Sequence, residues 1–490
     1  MPSLKNITRR NRPINQNIVT GMLLFCLRGI YTAITGLGAG GGRSSSGVVA
    51  NQSNSILYGM FTLFGCLGGP IVNLVGVRIS MLLGMVGYPL YVGGMWYYDR
   101  TGNTWFPLFG GAMIGFSVGV LLTCAGMIAF SYSTERTRGL YICLQWMIRA
   151  IGATVAASIA FGLNAGQTKA IGVSSFVYIA FICIECCSLL LIAFLLVEQK
   201  NVVRDDGTHI AKFKPTTVRQ ELKKLGLCFI DKKLLLLVPA TLGCEMSLSL
   251  VSTVNGFFFN LRTRGVNSLC FQIVQFIGPG VLIFVLDNKF VRSRKVRGIM
   301  GVAITGAIAI GGCVGMYIWL HLSGYASYEK TPAYDWSYSH YGGFMAIYLM
   351  FGLTYSSYAL TVEWVFACLS NDPAVLAQYA GFVRGLGSLG MMISFILAEQ
   401  LTPTWVQVTV QLILYVTGVA GMIWVLIYIV PETNYFMEEN TIAPQQVQEE
   451  FVTHGKITQE QLNEEVEKDK IAAIGKADDR TTELTIKESQ

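Results

Sequence analysis

One polar, basic stretch divides this chain. From Glu198 to Lys233 it reads EQKNVVRDDGTHIAKFKPTTVRQELKKLGLCFIDKK, with nine Lys or Arg, a turn at Gly207 and a break at Pro215. Roughly two hundred mostly apolar residues lie on either side of it. A soluble linker of this length between two oily blocks predicts a polytopic membrane protein built in two halves. Composition agrees: 52% of residues are hydrophobic, only 13% are charged, and the mean hydropathy is +0.50. Soluble domains carry about 25% charged residues, so this chain cannot cover a globular surface facing water. Lipid is the expected solvent.

A spanning helix needs about 20 largely apolar residues. Twelve stretches qualify, six within 17–198 and six within 234–430. The expected fold is therefore all-α and polytopic, with 12 transmembrane helices in two six-helix bundles, 17–198 and 234–430. A cytoplasmic N-terminal segment, 1–16, precedes them, the basic linker 199–233 joins them, and an acidic tail, 431–490, follows. The opening segment carries Lys5, Arg9, Arg10 and Arg12. No short apolar core with a small-residue cleavage site comes after it, so the first helix is the expected insertion signal.

Orientation follows from where Lys and Arg fall in the loops. With the N-terminus inside, the inner loops and N-terminal segment hold twenty-one, the tail excluded. The outer loops hold six: Arg43, Arg100, Lys169, Arg262, Arg264 and Lys330. Both termini and the linker are expected to be cytoplasmic. Nothing in the sequence separates the plasma membrane from an internal one. The tail has fourteen acids against six bases, and the rest of the chain carries the positive excess in its loops. That excess reports topology and gives no reason to expect nucleic acid as a partner.

An internal repeat shows in two corresponding loops. Asn73-Leu-Val-Gly-Val-Arg78 in the first half and Asp287-Asn-Lys-Phe-Val-Arg292 in the second both set an Asx side chain five residues before an Arg. The first of these loops resembles the signature of the major facilitator superfamily, which runs Gly, three residues, Asp-Arg, one residue, Gly-Arg-Arg. Here Gly69, Gly76 and Arg78 keep the pattern, Asn73 replaces the Asp, and Leu74 and Val77 replace two basic residues. A closer resemblance is to the uncoordinated-93-like membrane proteins of that superfamily, their fungal members especially. It rests on Gly36–Gly42, Gly87-Tyr88-Pro89, Tyr132-Ser-Thr-Glu135-Arg136-Thr-Arg138-Gly139, Ser370-Asn371-Asp372-Pro373 and Gly381-Phe-Val-Arg384-Gly385. It covers roughly 17–430 and departs from the family pattern at Arg28 and at Arg149-Ala150. The resemblance implies two six-helix bundles around a central cavity, lined by the first, fifth, seventh, tenth and eleventh helices.

The residues that could carry chemistry are the charges inside spans: Arg28, Arg149, Glu185, Glu245, Glu363 and Arg384. Each costs roughly 2.5–3.5 kcal/mol at a helix centre on insertion scales, so internal pairing is expected. The family fold sorts Arg28, Arg149, Glu245, Glu363 and Arg384 onto cavity helices as candidates for substrate binding or ion coupling. Arg149 and Arg384 would favour an anionic or polar small-molecule solute, and Glu245 is the first candidate for coupling to protons. An interhelix salt bridge locking one conformation is the competing reading. Glu185 falls on an outer helix and is expected to be structural. In the superfamily, loop charges pair across helix ends and hold the cytoplasmic face closed. The candidates for such a latch are Asn73, Arg78, Glu135, Arg136, Arg138, Asp287, Arg292 and Asp372.

Other chemistry is not expected. The Gly36–Gly42 run follows a helix rather than a strand, so it reads as flexible backbone at a cavity mouth and not as a nucleotide loop. Cys183, Cys186 and Cys187 beside Glu185 lack a nearby His, and no metal or cofactor is expected. No catalytic motif appears, so the chain is not expected to be an enzyme. The leading expectation is secondary transport of a small solute by alternating access. The alternative is a non-transporting regulatory subunit or trafficking chaperone of another membrane protein, in the manner of ion channel regulators.

Overall fold

In hydrocarbon every backbone N–H and C=O must be satisfied within its own segment, and this chain answers with helices. The structure, a computed structural model, describes residues 9–36, 46–164, 175–322, 334–399, 403–454, 457–458 and 460–472. The first half contributes α1 (Pro13–Gly36), α2 (Ser46–Thr101), α3 (Trp105–Tyr132), α4 (Arg138–Asn164) and α5 (Ser175–Phe194). The linker carries α6 (Val218–Cys228) and the single turn α7 (Lys232–Leu235). Next come α8 (Val238–Phe258), α9 (Leu261–Val274), α10 (Ile277–Leu286), α11 (Arg294–Leu322), α12 (Tyr341–Ala367), α13 (Pro373–Glu399) and α14 (Thr404–Tyr428). The tail adds α15 (Gln445–Thr453) and a further helical stretch over 460–472. Among the described residues the only β pairing is three isolated bridges.

Nine of these segments are long and apolar enough to cross a membrane, counted among the described residues. The chain is an all-α, multi-pass membrane bundle. One of the nine, within α2, is twice the usual length. At 1.5 Å per residue its 56 residues would run about 84 Å, against a hydrocarbon core of about 30 Å. It is interrupted at Gly76, whose φ of 82° and ψ of 174° no helix contains and few side chains tolerate. The apolar stretches on either side of Gly76 are thus separate segments that share a kinked axis. The Gly-rich stretch 37–45 and most of the Tyr-rich loop 322–340 lie outside the described residues.

Small residues let the helices approach. Gly111, Gly115 and Gly119 of α3 face the first part of α2, where added Cβ atoms would meet the Ser53 backbone, Leu57 O and Gly65 N. Gly29 of α1 meets Gly152 of α4 in the same way. The contact between α2 and α13 matters most, because it joins the segment before the linker to the segment after it. A Cβ on Gly65 would sit 2.7 Å from Gly385 N, and one on Gly69 2.7 Å from the Gln378 Cα. Such backbone approach is the usual source of helix association in lipid, where dispersion rather than the hydrophobic effect drives packing. The buried apolar side chains fall into two clusters, one drawn mostly from residues before 212, the other mostly from residues after 228.

One end of the bundle is capped by polar segments of the chain. Here the N-terminal segment, the linker and the tail interlock. Arg9 donates to Val203 O at 2.6 Å, Arg12 pairs with Asp205, and Arg204 donates to Ile442 O at 2.9 Å. Lys212 N donates to Asn440 O, and His209 Nδ1 lies 2.9 Å from Asp469 Oδ1. The described part of the tail, to which the sequence assigns no chemistry, is built into this linker end.

The glycine contact between α2 and α13 gives a direct test. Gly385→Val should lower the thermal midpoint of the detergent-solubilised protein, since overpacking typically costs about 1–3 kcal/mol and the backbone of Cys66 lies 2.8 Å from the new Cβ. Gly59→Ala on α2, with nothing within 4 Å of its Cβ, should leave the midpoint unchanged or raise it slightly. Equal behaviour of the two would show that the close approach does not hold the bundle.

Candidate functional site

Two groups of polar side chains stand out, one inside the bundle and one at the linker end. The inner group converges from five helices. Arg28 comes from α1, Arg149 from α4, Glu245 from α8, Tyr355 and Glu363 from α12, and Arg384 from α13. Arg28 Nη2 approaches Glu245 Oε2 at 4.0 Å and the Tyr355 hydroxyl at 3.4 Å. Tyr355 in turn donates to Glu245 Oε2 at 3.0 Å, so the phenol bridges the two charges. Arg384 pairs with Glu363 at 2.6 Å. Gly387 lets α13 pass close to Glu245, where an added Cβ would lie 3.1 Å from the Glu245 Cγ.

Arg149 is different. It is 6% exposed, yet it has no ion pair or hydrogen bond among the described residues. Its guanidinium instead lies 3.6 Å from the centre of the Trp146 ring, and the Trp146 ring meets Tyr355 edge-on at 5.4 Å. A cation over an aromatic face is stabilised by roughly 0.5–2 kcal/mol, far less than a carboxylate partner would give in a dry site. The inner group thus contains three arginines and two glutamates. Glu185 lies apart on α5, fully buried, with no ion pair and no hydrogen bond to either carboxylate oxygen among the described residues. The expected internal pairing covers two of the three positive and two of the three negative charges. Cys183, Cys186 and Cys187 are exposed, and no cluster of potential metal ligands occurs among the described residues.

The linker-end group joins the two halves. Glu135, just before α4, pairs with Arg294 of α11 at 2.9 Å and accepts from Asn371 Nδ2 and Asn434 N. Arg138, 1% exposed, donates to Ala367 O and to Asn371 Oδ1. Asp287, one residue past α10, accepts from Gly139 N at 2.9 Å and Leu140 N at 2.6 Å. Those are free N–H groups at the start of α4, where a carboxylate is favoured by the helix dipole. Burial nevertheless pushes the Asp287 carboxyl up to about 6, outweighing these hydrogen bonds and the nearby Arg297 and Arg138.

Asn73 of α2 donates to Ala374 O at the start of α13 and to Glu221 of the linker helix α6. Glu221 is fully buried and also accepts from Gln378, Thr216 and Lys224. Burial pushes its carboxyl up, but the hydrogen bonds from Asn73, Lys224, Thr216 and Gln378 together hold it below the usual range. One carboxylate of the linker is therefore bonded to both halves at once. The tail closes the arrangement: Glu438 accepts from the Ser370 hydroxyl and Asn371 N, and Glu432 from the Ser293 hydroxyl and Arg294 N.

Not every sequence candidate joins this group. Arg78 turns back into its own half and donates to Leu196 O and Ala193 O. Arg136 forms an exposed pair with Glu450 of the tail. Asp372 caps α13 through Ala374 N and accepts from Asn440. Arg292 is exposed and has no ion pair among the described residues; the arginine that reaches across is Arg294, two residues on. The repeat spacing pointed to the first basic residue of Arg292-Ser293-Arg294, whereas the turn after α10 carries the third one inward. Arg294, Glu221, Asn371, Gln378, Asn434 and Glu438 were not marked by sequence. Of these, Asn371 lies within one of the stretches that carry the family resemblance, and it bonds Arg138, Glu135 and Glu438.

With this geometry described, the chain can be compared with known proteins. The profile of the family described as "Ion channel regulatory protein UNC-93" matches residues 47–321. An uncharacterized membrane protein of Schizosaccharomyces pombe is 38% identical over 380 residues, 78% of this chain and 77% of that one. UNC93-like protein 1 of Arabidopsis thaliana is 31% identical over 418 residues, 84% of this chain and 89% of its own. Among solved structures, the major facilitator superfamily transporter FucP in the outward conformation superposes with a TM-score of 0.61 at 12% identity. That match covers 85% of this chain and 99% of the other. The human organic anion transporter MFSD10 matches at 0.56 and 13% identity, over 84% and 99% of the two chains. At these identities the likeness establishes the fold alone. The chain belongs to the UNC-93 family, and it is a transporter-like integral membrane protein with the major facilitator fold.

Proposed function

We propose that this protein carries a small anionic or polar solute across a membrane by alternating access. The observation that carries this reading is the unmatched Arg149 in the inner group. Two ion pairs satisfy Arg28, Glu245, Arg384 and Glu363, and a third, uncompensated guanidinium remains on a tryptophan face. A purely structural cluster gains nothing from an extra buried cation, whose burial is costly unless something pairs with it. An anion entering between the halves would supply the missing charge. Arg384 is the second candidate contact for it. Glu245 is the candidate for proton coupling, because losing its charge would free both Arg28 and the Tyr355 hydroxyl.

In this reading the chain has twelve spans in two sets of six, 17–198 and 234–430, the kink at Gly76 separating the second span from the third. The two apolar core clusters support two bundles, as does the likeness to a transporter fold in the outward conformation. The linker end, with both termini, is cytoplasmic by its excess of Lys and Arg. Its closed network is then the gate that breaks when the protein turns inward. Glu135, Arg138, Asp287 and Asn73 are the latch proper. Arg78, Arg136, Arg292 and Asp372 serve it indirectly or not at all.

A second reading is a regulatory or trafficking subunit that keeps the transporter fold without transport. It is favoured by Asn73 in place of the signature's Asp and by the description of the family as ion channel regulatory proteins. Untargeted metabolite profiling of cells with and without the protein, inside and in the medium, separates the two. A transported anion should change compartment on deletion and be restored by wild type. Arg149→Ala, at normal membrane expression, should fail to restore it. Should no solute redistribute across varied growth conditions while a stoichiometric membrane protein co-purifies, the regulatory reading replaces transport.

The gate makes a further prediction. Cys368 is fully buried behind Arg294, which donates to its carbonyl, so a water-soluble maleimide should reach it only when the linker end opens. Glu135→Ala should speed its labelling by roughly 100-fold or more, the order expected from the loss of about 3–5 kcal/mol when one partner of a buried charge pair is removed. Arg136→Ala, which breaks an exposed pair, should not change it. Asp287 sets a pH dependence. Its carboxyl lies near 6 when the end is closed and would return toward the ordinary 3.8 when opening exposes it. Closure therefore binds a proton: it is favoured below that window and loses this contribution as pH rises through about 6. Labelling should slow on acidification across about pH 6 in wild type and lose that component in Asp287→Asn.

A further inference from the structure

We propose that the linker helix α6 lies in the membrane interface and binds anionic phospholipid headgroups. Its depth is fixed at three points. Glu221 bonds Asn73, close to the end of the apolar stretch that stops at Gly76, and shares Asn73 with Ala374 in the first turn of α13. Cys228, its last residue, is four residues from Lys232, where the next apolar span begins. Four residues reach at most about 14 Å even when fully extended. α6 therefore sits at the boundary where two spans end and a third starts.

The face it turns outward does not suit water. Glu221, Leu225 and Cys228 point inward and are buried. Beside them Val218, Leu222 and Leu227 are exposed, and Ile230 just beyond the helix is 68% exposed. Among the described residues nothing covers these four large aliphatic side chains, although their segment is held against the bundle by a capping box at Thr217 and by Glu221. Three cations are interleaved with them. Arg219, Lys223 and Lys232 are exposed and have no ion pair among the described residues. By contrast Lys214, Lys224 and Lys233 are matched by Glu439, Glu221 and Asp231. Apolar side chains that reach acyl chains, with unmatched Lys and Arg beside them, are the pattern of an interfacial helix on an anionic surface. Each Lys or Arg near such a surface contributes to the attraction within a Debye length. Because Glu221 on the opposite face bonds both halves, lipid bound here would act on the closed state of the gate.

The test uses the full-length protein in nanodiscs of phosphatidylcholine alone or of phosphatidylcholine with phosphatidylserine. Hydrogen exchange of peptides covering 216–230 should slow severalfold in the anionic discs, and peptides of the tail helix α15 should serve as the unaffected control. Adding inorganic phosphate to the neutral discs should not reproduce the effect, which distinguishes a lipid surface from a phosphate site. Arg219→Glu with Lys223→Glu and Lys232→Glu should abolish the difference between the two discs. Equal exchange in both discs for the wild type, a measurement that needs no variant, overturns the proposal. So does protection that appears only with a co-purified protein, which would make this face a protein interface.

Discussion

An ionised side chain inside hydrocarbon has to find its counter-charge within the protein, and the rest of this structure is arranged around that requirement. Arg28, Glu245, Arg384 and Glu363 would each be prohibitive alone. Together they close into two pairs that tie α1 to α8 and α12 to α13. Tyr355 extends the first pair with a hydroxyl that neither partner could supply, donating to the carboxylate. Such pairs are weak evidence for stability, since apolar residues of the same volume often do as well. Their value lies in being breakable. A pair that joins helices from opposite halves is a contact whose loss changes how the halves sit.

The helices were readable because the bilayer demands long apolar runs and the chain supplies them. Where sequence and structure part, the reason is local. Hydropathy marks two stretches in 46–101, but helical hydrogen bonding continues almost through the join, and Gly76 alone breaks the axis. The inner charges were readable as residues out of place in oil, and the family resemblance told which helices to group. Pairing itself was not readable, because it depends on helix rotation. Arg149 and Arg384 are both charges inside spans, yet Arg384 pairs with an acid and Arg149 faces Trp146. The linker end was least legible. Its bonds are made by short polar side chains such as Asn371 and Gln378 to partners hundreds of residues away. Such residues look the same in sequence whether buried or solvated.

The tail shows the same limit from the other side. Its acidity suggests a solvated appendage, and charge count alone supports nothing more. Glu432 and Glu438 nevertheless accept backbone N–H groups at the starts of elements in the second half, where unsatisfied donors are a fixed property of the backbone. Burial raises the Glu438 carboxyl despite those hydrogen bonds. The tail is therefore part of this arrangement energetically, since moving the second half away from it would expose the donors it covers.

Asn73 gives the loss of the facilitator Asp a physical meaning. At that position an acid would face the start of α13 and bond it with its own charge. Asn73 instead donates, to Ala374 O and to Glu221. The negative charge has moved from the loop into the linker helix, where Glu221 receives Asn73 from one half and Gln378 from the other. An amide can bridge a carbonyl and a carboxylate, whereas an aspartate at the same place would repel Glu221. Asn73 and Glu221 are thus one device, and either substitution alone would leave a buried partner unmet. On the proposed reading of the linker end as a gate, its closed arrangement includes the linker helix, and anything that shifts α6 by the length of a hydrogen bond would act on it.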